Sequence, residues 1–185
     1  MGMTMERPAN ICSKLKTFIT LLDGKRVAVD LVRLTFPRWT GNPIKNDFGG
    51  KPVVMYNDKP MFAELAIRQM MIDAGWSAEW VSGSYYLENW DDVPFSQQKK
   101  KPLQDLPLWP LLSRIDRKCR QLFPSYAANS CDGCWDVLAW KGNATIFIES
   151  KHKDKITLPQ RKWLTAALSP DLKLGLDNFV IVKWK

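Results

Sequence analysis

The sequence has no long apolar run, and this absence limits the classes of protein it can represent. No stretch approaches the roughly 18 consecutive apolar residues that a membrane-spanning helix requires. Residues 1–16 lack the apolar core of a secretory signal peptide. Internal repeats and low-complexity tracts are absent too. We therefore expect a cytoplasmic protein with no membrane association.

Cysteine is scarce, with four residues in a chain of 185. A reducing cytoplasm argues against disulfides, so free thiols are expected. Cys131 and Cys134 have the Cys-x-x-Cys spacing of zinc and redox sites, but a structural zinc usually needs two more ligands, for which Cys119 and His152 are the candidates. The isolated pair favours a structural role leading into a strand. A zinc-stabilised interaction protein built on Cys119, Cys131 and Cys134 remains an open hypothesis.

Positive charge is in excess, with a formal net charge of +8 and a pI near 9.4. This balance favours an anionic partner such as nucleic acid. The length fits one domain with a sizeable core, and 45% hydrophobic residues are typical of a globular protein.

The residue patterns predict an α/β fold with a mixed central β-sheet flanked by helices. Asp23-Gly24, a turn pair between two runs rich in Val, Leu and Ile, predicts a β-hairpin over residues 18–36. Further strands are predicted at 51–56, 77–81, 134–141, 144–151 and 178–184, and helices at 61–74, 108–122 and 158–168.

The predicted organisation has two parts. Residues 1–50 are interpreted as an N-terminal β-hairpin extension, added for dimerisation or substrate grip, so a homodimer is one expectation. Residues 51–185 are interpreted as the core, with a long insertion at about 82–131.

The predicted turn at 142–143 determines which side chains face each other in the last hairpin. With a two-residue loop, Asp136 lies directly opposite Glu149, with Cβ atoms about 5 Å apart. Lys151 is two residues beyond Glu149 and therefore projects from the same face. A three-residue loop would break this register. The sequence thus makes a specific geometric prediction for Asp136, Glu149 and Lys151.

This trio has the chemistry of a metal-dependent phosphodiesterase. Two adjacent carboxylates repel each other unless a cation lies between them, and oxygen ligands suit Mg²⁺ or Mn²⁺. Such an ion activates water and neutralises phosphoryl charge, while a neighbouring ammonium can orient the attacking water. The alternative is a chance Glu-x-Lys triplet on a solvated strand. The apolar residues 146–148 immediately before Glu149 favour the functional interpretation.

The stretch GCWDVLAWKGNATIFIESKHKDKITLPQRKWL, residues 133–164, resembles the PD-(D/E)XK nuclease superfamily, and more closely its VRR-NUC-like branch. In that branch, a short charged segment and a helix opening with Gln follow the Glu-x-Lys strand. Here these elements are Glu149-Ser150-Lys151, Asp154 and Gln160. Trp135 stands where the superfamily has Pro. The resemblance covers roughly residues 61–184 and implies a restriction-endonuclease-like core.

The resemblance implies a larger site. Its catalytic residues would be Asp136, Glu149, Lys151, Glu64 and Gln160. The metal ligands would be Asp136, Glu149, the backbone carbonyl of Ser150 and Glu64. Two of these residues have simpler interpretations: Glu64 could form an i, i+4 ion pair with Arg68, and Gln160 could face solvent.

The segment after Glu149 is rich in Lys and Arg, and such residues near a phosphodiester site would contact phosphates. The expected nucleic-acid-binding residues are Lys153, Lys155, Arg161 and Lys162. His152 alternates away from the metal face and is interpreted as structural or as a phosphate contact.

The sequence therefore predicts a Mg²⁺- or Mn²⁺-dependent nuclease that hydrolyses nucleic-acid phosphodiester bonds, with DNA favoured over RNA as the partner. The alternative, from a different functional class, is a non-catalytic nucleic-acid-binding module that retains the nuclease fold.

Overall fold

The computed structural model describes residues 7–12, 15–41, 51–87, 97–125 and 131–185. Part of the insertion predicted at about 82–131 lies outside these ranges. The α-helices of the described chain are α1 (Ala63–Asp73), α2 (Trp109–Leu122) and α3 (Leu158–Ala167). The strands are β1 (Lys16–Thr20), β2 (Arg26–Leu34), β3 (Val53–Tyr56), β4 (Lys59–Phe62), β5 (Ser77–Ser82), β6 (Tyr85–Leu87), β7 (Lys101–Pro102), β8 (Val137–Lys141), β9 (Ala144–Lys151) and β10 (Phe179–Trp184).

The described strands form an eight-stranded mixed sheet in the order β1-β2-β10-β9-β8-β5-β6-β7. Strand β10 runs parallel to both β2 and β9, and the other neighbours are antiparallel. The predicted α/β class and mixed central sheet are confirmed. The N-terminal hairpin is part of this sheet, because β2 pairs with β10 along its C-terminal half.

Two apolar layers cover the two faces of the sheet. On one face, Leu138 and Phe147 pack in a cluster with residues of α2 and α3. On the other face, the adjacent Val137 and Ile146 pack in a cluster with residues of α1. This alternation is the two-residue period of strands whose faces are both buried. No helix in the described ranges is long and apolar enough to cross a bilayer.

The first helix begins later than predicted. Residues 57–60 do not lead into it, because Asn57 and Asp58 have φ values of 48° and 59° and form a tight turn. Positive φ at both central residues matches the twist of a two-residue β-hairpin. The chain therefore returns as β4, which pairs with β3 in a separate two-stranded sheet, and α1 starts at Ala63.

The last hairpin has the predicted register. Lys141 pairs with Ala144, and the ladder continues to Val137 opposite Ile148. Strand β9 has the predicted bounds, but β8 begins at Val137 and not at residue 134. Residues 131–134 form a turn in which the Cys134 N–H donates to the Cys131 carbonyl over 2.8 Å, and Gly133 within it has a φ of +82°. Asp136 is therefore the residue immediately before the ladder.

Candidate active site

A cavity of about 310 Å³ lies at the C-terminal end of β9. Side chains from separate parts of the chain line it: Lys51, Pro52, Glu64, Asp136, Glu149, Ser150, Lys151, His152, Asp154, Gln160 and Trp184. The predicted catalytic residues Asp136, Glu149, Lys151, Glu64 and Gln160 all belong to this set. The tertiary structure thus brings them together around one cavity.

Asp136 and Glu149 are neighbours at the end of the β8–β9 ladder. The backbone N–H of Ser150 donates to Asp136 Oδ2 over 2.9 Å, which holds this carboxylate against β9. Glu149 is fully buried, and no N–H of the described residues donates to its Oε2, although the carboxyl group also lies within hydrogen-bonding reach of the Asp136 carboxyl. A buried carboxylate oxygen without a donor is costly. This unsatisfied oxygen is an available metal-ligand position.

The two carboxyl groups have raised pKa values. Burial, followed by the nearby charge of Glu64, raises the pKa of Asp136 to about 6, although Lys51 opposes the shift. Burial, followed by the charge of Asp136, raises the pKa of Glu149 well above its usual range, although Lys151 opposes it. Buried like charges favour a retained proton, and a cation between them would take its place.

Lys151 and Gln160 complete a hydrogen-bonded group around Glu149. Lys151 Nζ lies 2.8 Å from Glu149 Oε1 and donates to Gln160 Oε1 over 3.2 Å. Gln160 Nε2 donates to the same Glu149 oxygen over 2.5 Å. Gln160 therefore faces the cavity, so the interpretation of a solvent-facing side chain is wrong. Lys151 is itself buried, which keeps its ammonium close to the carboxylates.

Glu64 reaches the cavity from the first turn of α1, and its partner differs from the sequence-based alternative. Lys51 Nζ lies 2.7 Å from Glu64 Oε1, while Arg68 pairs with Glu79 on β5. The i, i+4 pair is therefore wrong. Lys51 is a site residue that the sequence did not reveal. In the sequence it is a single Lys before Pro52 at the start of a short predicted strand, and such a residue does not by itself indicate a functional site.

Ser150 and His152 project toward the α1 side of the sheet. Trp184 Nε1 donates to Ser150 Oγ over 2.9 Å. The His152 ring stacks on Trp184 with centroids 4.5 Å apart. Both residues line the cavity, so His152 packs against an aromatic wall of the site. Its predicted direction, away from the side chains of Glu149 and Lys151, agrees with strand alternation.

The four predicted phosphate-binding residues separate in space. Lys153 and Lys155 are exposed on the segment between β9 and α3. Arg161 Nε donates to the Thr20 carbonyl of the N-terminal hairpin over 2.8 Å. Lys162 points toward α2 instead, where its Nζ donates to Ser125 Oγ and lies 5.8 Å from the Phe123 ring centroid. Adjacent positions on a helix differ by about 100°, which accounts for this divergence.

The cysteines have the properties of structural thiols. Cys119 and Cys131 are buried, Cys134 is half-buried, and none forms a disulfide. Burial raises the pKa of Cys131 to about 12 and that of Cys134 well above its usual range. Among the described residues, no three His, Cys, Asp or Glu side chains are grouped as a ready metal-ligand set, and this holds for the acidic residues of the cavity as well as for the cysteines.

No family model matches the chain, and neither a curated protein nor a solved structure matches it.

Proposed function

We propose that the chain is a divalent-metal-dependent nuclease of the PD-(D/E)XK type that hydrolyses phosphodiester bonds, with DNA as its substrate. The observation that carries this proposal is the environment of Glu149. Its carboxylate is fully buried beside Asp136, one of its oxygens lacks an N–H donor among the described residues, and a Lys ammonium lies 2.8 Å from the other. A buried acidic pair with raised pKa values is typical of a functional site.

The donor set fits Mg²⁺ or Mn²⁺. Mg²⁺ keeps several waters and commonly uses one or two protein carboxylates, so the pair of Asp136 and Glu149 is sufficient to hold it. The Ser150 carbonyl and Glu64 would complete the shell, with Glu64 exchanging its contact to Lys51. When bound, the ion would supply Lewis-acid activation of water and of the phosphoryl group.

The protein side chains have separate roles in this proposal. Lys151 orients the attacking water and offsets the negative charge that develops on the phosphoryl oxygens. Gln160 holds both Glu149 and Lys151 by hydrogen bonds, so it is a positioning residue. Lys51 compensates the charge of Glu64 while the site is free of metal.

A cleavage assay with matched variants tests the proposal. Purified protein is incubated with plasmid and single-stranded DNA in Mg²⁺, Mn²⁺ or chelator. Cleavage should require the metal, and Glu149→Gln and Lys151→Met should each lower the rate about 100-fold or more. Lys141→Met is the control, because Lys141 is an exposed lysine at the opposite end of the same hairpin.

Metal binding gives a readout that does not depend on turnover. Titration calorimetry with Mn²⁺ should show binding to the wild type and a large loss of affinity in Glu149→Gln. If Glu149→Gln and Lys151→Met cut as fast as the control, the site assignment is wrong. DNA binding without cleavage under any metal condition would instead favour the non-catalytic module, and stoichiometric zinc would favour the thiol-based hypothesis.

A further inference from the structure

A second groove of about 590 Å³ adjoins the candidate active site. It lies between the N-terminal hairpin and the segment that joins β9 to α3. Lys151 and Asp154 line both the groove and the active-site cavity, so the two are neighbours. A polymer bound at the active site would therefore reach the groove close to the point where it contacts Lys151.

A row of three cations crosses the floor of this groove. Lys183 on β10 pairs in register with Lys151 on β9 and with Arg33 on β2. Register partners on neighbouring strands project from the same face, about 5 Å apart. Lys183 and Arg33 are exposed, and neither forms an ion pair with an acid in the described ranges. Lys151 is paired with Glu149, so the uncompensated charge of the row comes from Lys183 and Arg33. Directly opposed like charges destabilise a sheet, so this pair is suited to an anionic ligand.

The rest of the groove has the same character. Lys155 and Arg161 line it from the β9–α3 side, and Asp154 is the acid among its lining residues. Leu31 and Ile181 pair in register two residues before the cations of their strands and add apolar surface. Phe18 of the hairpin also lines the groove and is exposed. A positively charged channel with an aromatic side chain for base stacking is the usual composition of a site for single-stranded nucleic acid.

The hairpin and α3 are joined at the boundary of the groove. Arg161 Nε donates to the Thr20 carbonyl over 2.8 Å, and both residues line the groove. Leu22 N also donates to Thr165 Oγ1 over 3.2 Å. These contacts hold the hairpin against α3 on this side of the groove.

We propose that the row of Arg33, Lys183 and Lys151 binds the phosphates of a single-stranded DNA segment next to the phosphodiester that is cut. This inference rests on the proposed nuclease function and names its substrate class. The row spans two strand spacings, or about 10 Å, so its cations can face a short run of consecutive phosphates of one strand. Lys151 would then contact the segment at its end nearest the reacting phosphate.

Fluorescence anisotropy with a labelled oligothymidylate, in chelator to prevent cleavage, tests the groove. The test protein is Arg33→Gln/Lys183→Gln. The control is Lys25→Gln/Lys59→Gln, which removes the same charge from exposed positions on other surfaces. The groove variant should bind roughly tenfold more weakly, and its log–log salt dependence should be shallower by about 1.4 because two single-strand phosphate contacts are lost. The control should keep both properties of the wild type.

Three further measurements make the outcome decisive. Thermal unfolding shows whether each variant is folded. If the double variant does not fold, Lys183→Gln replaces it, and the expected loss is then about one phosphate contact. A duplex of equal length should bind more weakly than the single strand. Equal binding of duplex and single strand, or equal losses in the test and control variants, would overturn the groove proposal.

The nuclease proposal is tested separately by cleavage in Mg²⁺ and Mn²⁺. If the wild type binds single strands through the groove but never cuts, the groove proposal stands and the nuclease proposal fails. If the wild type cuts DNA and the groove variant binds and cuts as the control does, the groove proposal fails and the nuclease proposal stands.

Discussion

Gln160 Nε2 donates to Glu149 Oε1 over 2.5 Å, so a helix side chain holds the buried carboxylate of the neighbouring strand. Gln160 Oε1 accepts from Lys151 Nζ and from the backbone N–H of Thr157. Thr157 in turn caps the start of α3 through its hydroxyl, which accepts from Gln160 N. The cap of α3 and the position of Glu149 therefore depend on one side chain.

This shared role predicts two separable effects of Gln160→Ala. Cleavage should fall about 10- to 100-fold, because partners that orient metal ligands usually contribute that much. The free energy of unfolding should fall by about 1 kcal/mol through loss of the capping box. Initial-rate assays and urea unfolding measure these effects.

Thr157→Ala is the matched control for Gln160→Ala. It removes the hydroxyl of the cap and should lower stability by a similar amount, but it leaves the contacts of Gln160 with Glu149 and Lys151. Its cleavage rate should stay close to that of the wild type. Equal rate losses in the two variants would mean that α3 stability, and not the Gln160 amide, controls the site.

Because Gly133 has no side chain, the loop before β8 can pack closely against the start of α3. A Cβ at Gly133 would lie 2.3 Å from the backbone C and O of Pro159, and φ there is +82°. Gly133→Ala should therefore destabilise the protein by several kcal/mol and displace Asp136. Gly142→Ala is the control, because φ is +57° but the space is open, so about 1 kcal/mol is expected. Urea unfolding measures the two free energies of unfolding, and an equal decrease in both variants would contradict this prediction.

The raised pKa of Asp136 predicts how stability depends on pH without metal. The unfolded carboxyl loses its proton near pH 3.9, while the folded one keeps it until about pH 6. Between these values the folded state binds more protons, so the free energy of unfolding should fall as pH rises. Urea unfolding in chelator between pH 4 and 7.5 measures this fall, and Glu149→Gln should make it smaller.

Metal should reverse that trend, because a divalent ion competes with protons for the same oxygens. Mn²⁺ should raise the melting temperature more at pH 7.5 than at pH 5. If Mn²⁺ raised the melting temperature of Glu149→Gln as much as that of the wild type, the metal would bind at another site.

Local patterns accounted for much of the fold, and the start of α1 shows where they are insufficient. The turn at Asp23-Gly24 and the turn at residues 142–143 were predicted because each depends on a few adjacent residues. The start of α1 was misplaced because Asn57-Asp58 also suits a helix start, and only pairing of β4 with β3 selects the hairpin.

The sequence by itself determined the register that places Asp136 next to Glu149 and Lys151 on the face of Glu149, because side-chain direction along a strand alternates with a strict period of two. The tertiary structure alone decided the pairing of Lys51 with Glu64, and the alignment of Arg33 and Lys183 with Lys151. These contacts join segments far apart in the chain. They arise because burial of both sheet faces selects which strands become neighbours, a choice that no local spacing encodes.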